Sequence, residues 1–257
     1  MANELLLVIS LVIAAFAPPL IYMYVVRNTE TCRREPWSAL IVTFLYGGTV
    51  AVLISILLES AAQLVLYNDY SPLTRGFWNF EPYDLALQTI IMAVIIAPIV
   101  EETAKASGVP RRRIMELEDG FVYGAAVGLG FAATENMLYL ISALTDSVEA
   151  FILTAIVRAF TSTLLHASAS AIAGFGIALA IIARRQGRSM SWLPYLGLAM
   201  LLHAVFNLFA SMGDLVPFDQ TAFALLGLGL ALVLAVGIFI VVRRRIRALD
   251  TQAPCVE

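Results

Sequence analysis

Residues 221–242, TAFALLGLGLALVLAVGIFIVV, run for 22 positions without a charge and meet Arg243, Arg244 and Arg245 at their end. A bilayer core of about 30 Å takes roughly 20 helical residues to cross, so this stretch can span it and leave its arginines among the headgroups. Six more apolar stretches precede it, at residues 4–26, 37–66, 84–106, 120–144, 150–183 and 192–212. None shows the period-two alternation of polar and apolar residues that a closed barrel requires. Of the 257 residues, 60% are hydrophobic and 14% charged, and the mean hydropathy is +0.86, well outside the range of soluble domains. The fold expected is all-α: a polytopic membrane helix bundle of about seven transmembrane helices. It forms a single domain over residues 1–257, with a motif-bearing core at about 84–212.

Positive charge accumulates in cytoplasmic loops, so the basic residues test the order of these spans. Arg27, Arg33 and Arg34 follow the first span; Lys105 and Arg111 to Arg113 the third; Arg184, Arg185 and Arg188 the fifth; Arg243 to Arg245 and Arg247 the seventh. The loops between hold Arg75 alone. This alternation places the N-terminus outside and the C-terminus in the cytoplasm. No positive region precedes the first span, which reads as an uncleaved anchor. Cys32 and Cys255 fall on the cytoplasmic side, where a structural disulfide is not expected. The aromatic loop YNDYSPLTRGFWNFEPYD, residues 67–84, reads as an interfacial collar. With a net charge of -3 and arginines confined to short clusters, no nucleic-acid partner is expected; the lipid bilayer is the surrounding partner.

An ionised side chain in mid-span costs about 2.5 to 3.5 kcal/mol on the insertion scale, so such residues are rare and usually functional. Span three carries Glu101 and Glu102, span four Glu135 and Asn136, span five Arg158 and His166, span six His203 and Asn207. Both histidines of the chain lie in mid-span. Each residue has a plainer reading. Glu101 and Lys105 have the spacing of a helical ion pair, with the lysine snorkelling; Glu135, Asn136 or a histidine can join helices by hydrogen bonds; Arg158 can be a counter-ion. Such accidents recurring on four successive spans are harder to accept than one shared site. The glycines, Gly120, Gly124, Gly128, Gly130, Gly174 and Gly176, form small-residue patterns that let helices approach closely and bring these groups together.

Two histidines and several glutamates converging from four helices match the ligand set of a catalytic zinc, with an open position for water and a carboxylate base beside it. Adjacent residues on a helix point about 100° apart, so Glu101 and Glu102 cannot both face one centre. One acts there, and the other orients a neighbour such as Arg158 or Lys105. Asn207 lies one turn after His203 on the same face, where it can donate to an oxyanion.

EETAK, GLGFAATEN, HASASAIAG and HAVFN, in this order on successive spans, resemble the motifs of the PrsW family of intramembrane proteases, which is related to the CAAX prenyl endopeptidases and bacteriocin-processing proteins. The likeness covers Glu101 to Asn207. It implies a membrane-embedded peptidase acting on membrane-bound protein substrates, the type member cutting a membrane-anchored anti-sigma factor. It makes Glu101 and Glu102 the catalytic glutamate pair, Glu135 the glutamate of the second motif, His166 and His203 partners of water or metal, and Asn207 the oxyanion residue. The ligand set expected for zinc is His166, His203 and Glu135. Two schemes stay open, a metallopeptidase and a glutamate-dependent peptidase in which glutamate and histidine activate water directly.

Two points of geometry are in tension with a single site. By counting along the spans, Glu101 lies near the inner end of span three and Glu135 in the outer half of span four, depths that differ by more than about 10 Å. Either span four starts deeper, after an irregular stretch at residues 120–130, or Glu135 lies off the site. Span five, at 34 residues, would reach about 51 Å as one straight helix and must tilt, break or protrude. The rival function is a proton-coupled transporter relaying protons through the Glu and His set. It would commonly show two related halves, and none is visible. A retinal-type protein would need a lysine in the last span, which has none.

Overall fold

With no water to bond to, backbone groups in lipid must bond within their own segment, and the described residues form helices without a strand. The structure, a computed structural model, describes residues 2–67, 85–111, 113–215 and 219–251. Its elements are α1 (Ala2–Arg27), α2 (Trp37–Tyr46), α3 (Val52–Tyr67), α4 (Leu85–Ile91), α5 (Ala97–Ser107), α6 (Leu117–Asp146), α7 (Val148–Phe160), α8 (Ser162–Arg185), α9 (Leu193–Ala210), α10 (Met212–Leu215) and α11 (Gln220–Asp250). A π turn, Gly47–Ala51, joins α2 to α3, and a second, Met92–Ile96, joins α4 to α5.

Among the described residues, six helical runs are long and apolar enough to cross a membrane: Leu5–Arg27, Trp37–Val65, Leu117–Asp146, Val148–Arg185, Leu193–Ala210 and Gln220–Asp250. The third expected span is helical from Leu85 to Ser107 but carries Glu101, Glu102 and Lys105 within five positions, which sets it apart from those six. Outward faces are apolar and exposed, as at Leu57 and Val233, the pattern of side chains that meet lipid. The polar loop expected as an interfacial collar, residues 68–84, lies outside the described residues.

Helix α6 and helix α8 form the centre, and glycine sets their separation. A methyl group at Gly124 would overlap the Ser170 carbonyl oxygen, and one at Gly128 would overlap that of His166. Only glycine lets the backbones approach so closely, and the Gly128 contact fixes the height of His166 against α6. Helix α6 is regular through residues 120–130, so the depth conflict is not resolved by an irregular segment there. It is resolved by α5, which stops deep in the bundle. Ser107, its last residue, bonds Tyr46 at the far end of α2 at 2.8 Å, whereas Tyr123, in the second turn of α6, bonds Glu35 just before α2 begins. At 1.5 Å per residue, Glu101 then lies about 23 Å and Glu135 about 18 Å from the level of Trp37, within about one helical turn of each other. The two carboxylates share a depth.

Span five breaks at Thr161, whose φ of -118° and ψ of -84° separate α7 from α8. The threonine Oγ1 donates to the Val157 carbonyl at 2.7 Å, a back-bond that bends helices. The break lies between Arg158 and His166 and lets both face the same space.

At the opposite end, Asp250 closes α11 onto the α1–α2 connection. Its carboxylate accepts the Thr31 N–H at 2.7 Å, the Thr31 hydroxyl at 2.6 Å and the Cys32 N–H at 3.2 Å. Burial pushes the Glu30 carboxyl up to about 9 and that of Glu35 to about 7. The expectation of no structural disulfide is corrected here: Cys32 is disulfide-bonded. The chain's other cysteine, Cys255, lies outside the described residues. The Asp250 contacts bring the end of α11 to Cys32, and proximity outweighs the argument from compartment.

Candidate active site

Lys105 organises the inner wall of the site. It is fully buried, and its ammonium lies 2.9 Å from Glu101 Oε2, 2.9 Å from Glu102 Oε1 and 2.8 Å from His166 Nδ1. It also sits 3.9 Å from the centroid of the Phe131 ring, a cation–π contact. A snorkelling lysine would reach for the headgroups; this one points into the protein, toward Glu101, Glu102 and His166. The i,i+3 and i,i+4 spacings put both glutamates within its reach.

The two glutamates then part. Glu101 lines a cavity of about 610 Å³ together with Glu135, Tyr139, Arg158, His166 and Asn207. Glu102 turns into the protein, where it accepts from Ser170 Oγ at 3.2 Å and from His203 Nδ1 at 3.0 Å. A carboxylate only accepts, so His203 carries its proton on Nδ1 and keeps the Nε2 lone pair; Nε2 lies 4.0 Å from Glu101 Oε2.

Glu135 anchors the opposite wall. Its Oε2 accepts from His166 Nε2 at 2.6 Å and from Arg158 Nη2 at 2.7 Å. Arg158 also donates to Asn136 Oδ1 at 2.8 Å, and Asn136 donates to Thr163 Oγ1 at 3.1 Å, which ties α6, α7 and α8 together. His166 therefore bridges the walls, accepting from Lys105 at Nδ1 and donating to Glu135 at Nε2. The two imidazole rings stand perpendicular with centroids 5.0 Å apart.

Asn207 reaches the same cavity from α9. One of its amide hydrogens goes to the Ala93 carbonyl at 2.7 Å, an oxygen in the π turn Met92–Ile96. The other π turn is used alike, Gly48 O accepting from Thr134 Oγ1 at 2.7 Å. Such turns re-aim backbone carbonyls and are frequent at functional sites.

All six residues singled out in the sequence, Glu101, Glu102, Glu135, His166, His203 and Asn207, thus belong to one cluster. Its grouping differs from the expected ligand set: Glu101, His166 and His203 each offer a ligand atom within 4.8 Å of the others, whereas Glu135 hydrogen-bonds His166 from across the cavity. Sequence reasoning gave no role to Ser170, Tyr139, Ser55 or Glu59. Ser170 had a legible signal, standing one turn after His166 in HASASAIAG.

Residues 35–242 match the profile of the PrsW family intramembrane metalloproteases. The chain belongs to that family. The Protease PrsW of Clostridioides difficile (strain 630) is 30% identical over 208 residues, 77% of this chain and 78% of that protein. The Protease PrsW of Geobacillus kaustophilus (strain HTA426) is 43% identical over 89 residues, 35% of this chain and 36% of its own length. That of Bacillus subtilis (strain 168) is 38% identical over 99 residues, 38% and 42% of the two chains. No solved structure matches. A member of the PrsW family with this bundle is a multi-pass membrane protein and a membrane-embedded peptidase. The transporter reading finds no support.

Proposed function

We propose that the PrsW-family activity of this chain resides in the cluster of Glu101, Glu102, Glu135, His166, His203 and Asn207, which hydrolyses a peptide bond in a membrane-anchored protein. A regulator of the anti-sigma type is the substrate the motif resemblance supplies. The observation that carries the assignment is the convergence of Glu101, His166 and His203 from three helices to within 4.8 Å of one another, with Glu101 and His166 on the wall of the cavity.

One carboxylate and two imidazoles are the donor types of a catalytic zinc site. His203 is prepared for it, its Nδ1–H held by Glu102 and its Nε2 lone pair available, the usual arrangement of a ligating histidine and its supporting carboxylate. His166 fits under one condition. Its Nδ1 now accepts from Lys105 and its Nε2 proton faces Glu135, so it has a lone pair to give only when Lys105 retreats or loses a proton. Zinc held by Glu101, His166 and His203 would polarise the scissile carbonyl and acidify a bound water. Glu135 lies within the cavity to accept the proton of the attacking water and return it to the leaving amine. Arg158 holds Glu135 aimed into the cavity, and the second amide hydrogen of Asn207 meets the oxyanion.

Purified chain in lipid nanodiscs is expected to hold close to one zinc per chain, measured by elemental mass spectrometry, and His203→Ala to lose it. Chelation is expected to stop cleavage and added zinc to restore it. Full activity in metal-free protein would remove the metal and assign direct activation of water to Glu101 and His166.

The charge alternation supports an outer N-terminus and a cytoplasmic C-terminus for one membrane domain spanning the chain. In a Cys32→Ser, Cys255→Ser background, Glu149→Cys is expected to react with an impermeant thiol reagent in intact cells and Ser189→Cys only after permeabilisation. The reverse pattern would invert the topology.

A further inference from the structure

We propose that Ser55 and Glu59 of α3 form a subsite that holds a lysine or arginine side chain of the substrate beside the scissile bond; this rests on the hydrolytic reading above. Neither residue belongs to the motifs. Both line the same cavity as Glu101 and Glu135, and they stand one turn apart, on one face of the helix. Ser55 is 3% exposed, and among the described residues its Oγ is buried without a hydrogen-bond partner, as is Oε1 of Glu59.

The charge pattern indicates what should fill this gap. Glu101 and Glu102 share Lys105, and Glu135 holds Arg158, each at 2.9 Å or less. Among the described residues Glu59 has no cation of its own. Among the described residues the cavity lining carries Glu59, Glu101, Glu135 and Asp214 against one cation, Arg158, so its potential favours a positive guest. A carboxylate and a hydroxyl side by side suit the several N–H donors of an ammonium or guanidinium group, and such charge-assisted bonds are the strong ones.

The helix register fixes where the guest sits along the substrate. Tyr46 meets Ser107, and Val52 packs with Ala104 in one apolar cluster, so α3 and α5 run antiparallel with Ser55 level with Glu101. Glu59 lies one turn further on, about 6 Å away at 1.5 Å per residue. An extended peptide advances about 3.3 Å per residue. The basic residue therefore falls within about three residues of the bond that is cut.

The test compares new protein termini in membranes of cells expressing the full chain, its Glu101→Ala variant and its Glu59→Gln variant, using the host's own membrane proteins as substrates. Cuts that depend on Glu101 are expected to share a lysine or arginine at a fixed offset of no more than about three residues. Glu59→Gln is expected to reduce those cuts at least about tenfold, and Glu59→Asp to recover part of the loss. Should Glu59→Gln fail to accumulate, the substrate side decides: changing the basic residue of one such substrate to Gln must give a comparable loss with the wild-type chain, and Ser55→Ala a smaller one. Glu101-dependent cuts with no basic residue in common, or cuts indifferent to that residue, would overturn the subsite and leave the active site standing. Absence of any Glu101-dependent cut would remove the active-site assignment and the subsite with it.

Discussion

Glu101→Gln is expected to lower peptide-bond hydrolysis by about 10³-fold or more, while the chain inserts and accumulates as before. Glutamine keeps the shape and one acceptor, so Lys105 retains bonds to Glu102 and His166. What disappears is the charged carboxylate that reaches the cavity. It is required if Glu101 joins His166 and His203 around zinc and equally if it takes a proton from water directly. Asn207→Ala is expected to be milder, since one oxyanion donor is worth about 10² to 10³ in rate. A Glu101→Gln chain that cuts within about tenfold of wild type would remove Glu101 from the chemistry.

Lys105→Met is expected to destabilise the fold by about 3 to 5 kcal/mol, the usual consequence of taking one partner from a buried charge set. It strands Glu101 and Glu102, both buried, and removes the ammonium from the face of Phe131. The result should be low accumulation or a strongly lowered melting temperature. Converting Glu101 and Glu102 to Gln in the same chain should restore accumulation, though not activity, because no charge is then left unpaired. Lys105→Met as stable as wild type would show that the glutamates are held by water or by the histidines instead.

That these side chains gather in one place was legible in the sequence, and their internal order was not. Charged and amide side chains in mid-span are costly, so a list of them on spans three to six was already a list of groups that need one another. Hydropathy locates a span but not its depth. The end of α5 is set by Tyr46 meeting Ser107, a contact between residues 61 positions apart, and it brings Glu101 level with Glu135. The same lack of depth hid Lys105, because its spacing from Glu101 is that of an exposed ion pair as much as a buried one. The break at Thr161 needed the φ and ψ of one residue. Cys32 was misjudged because topology says which side a cysteine is on and nothing of what Asp250 draws toward it. Glu59 reads in the sequence only as a lone carboxylate near an end of span two and Ser55 carries no signal; the cavity brings them together with Glu101.

The central claim is that this cluster hydrolyses a peptide bond within the membrane, and oxygen tracing tests it most directly. The purified chain would be reconstituted into proteoliposomes with the host's membrane proteins in water enriched in oxygen-18. Hydrolysis places one oxygen from water in the carboxylate of each new C-terminus, so fragments carrying a single oxygen-18 there are expected from the wild-type chain and none above background from Glu101→Gln. The same labelled fragments in equal yield from both chains would contradict the account.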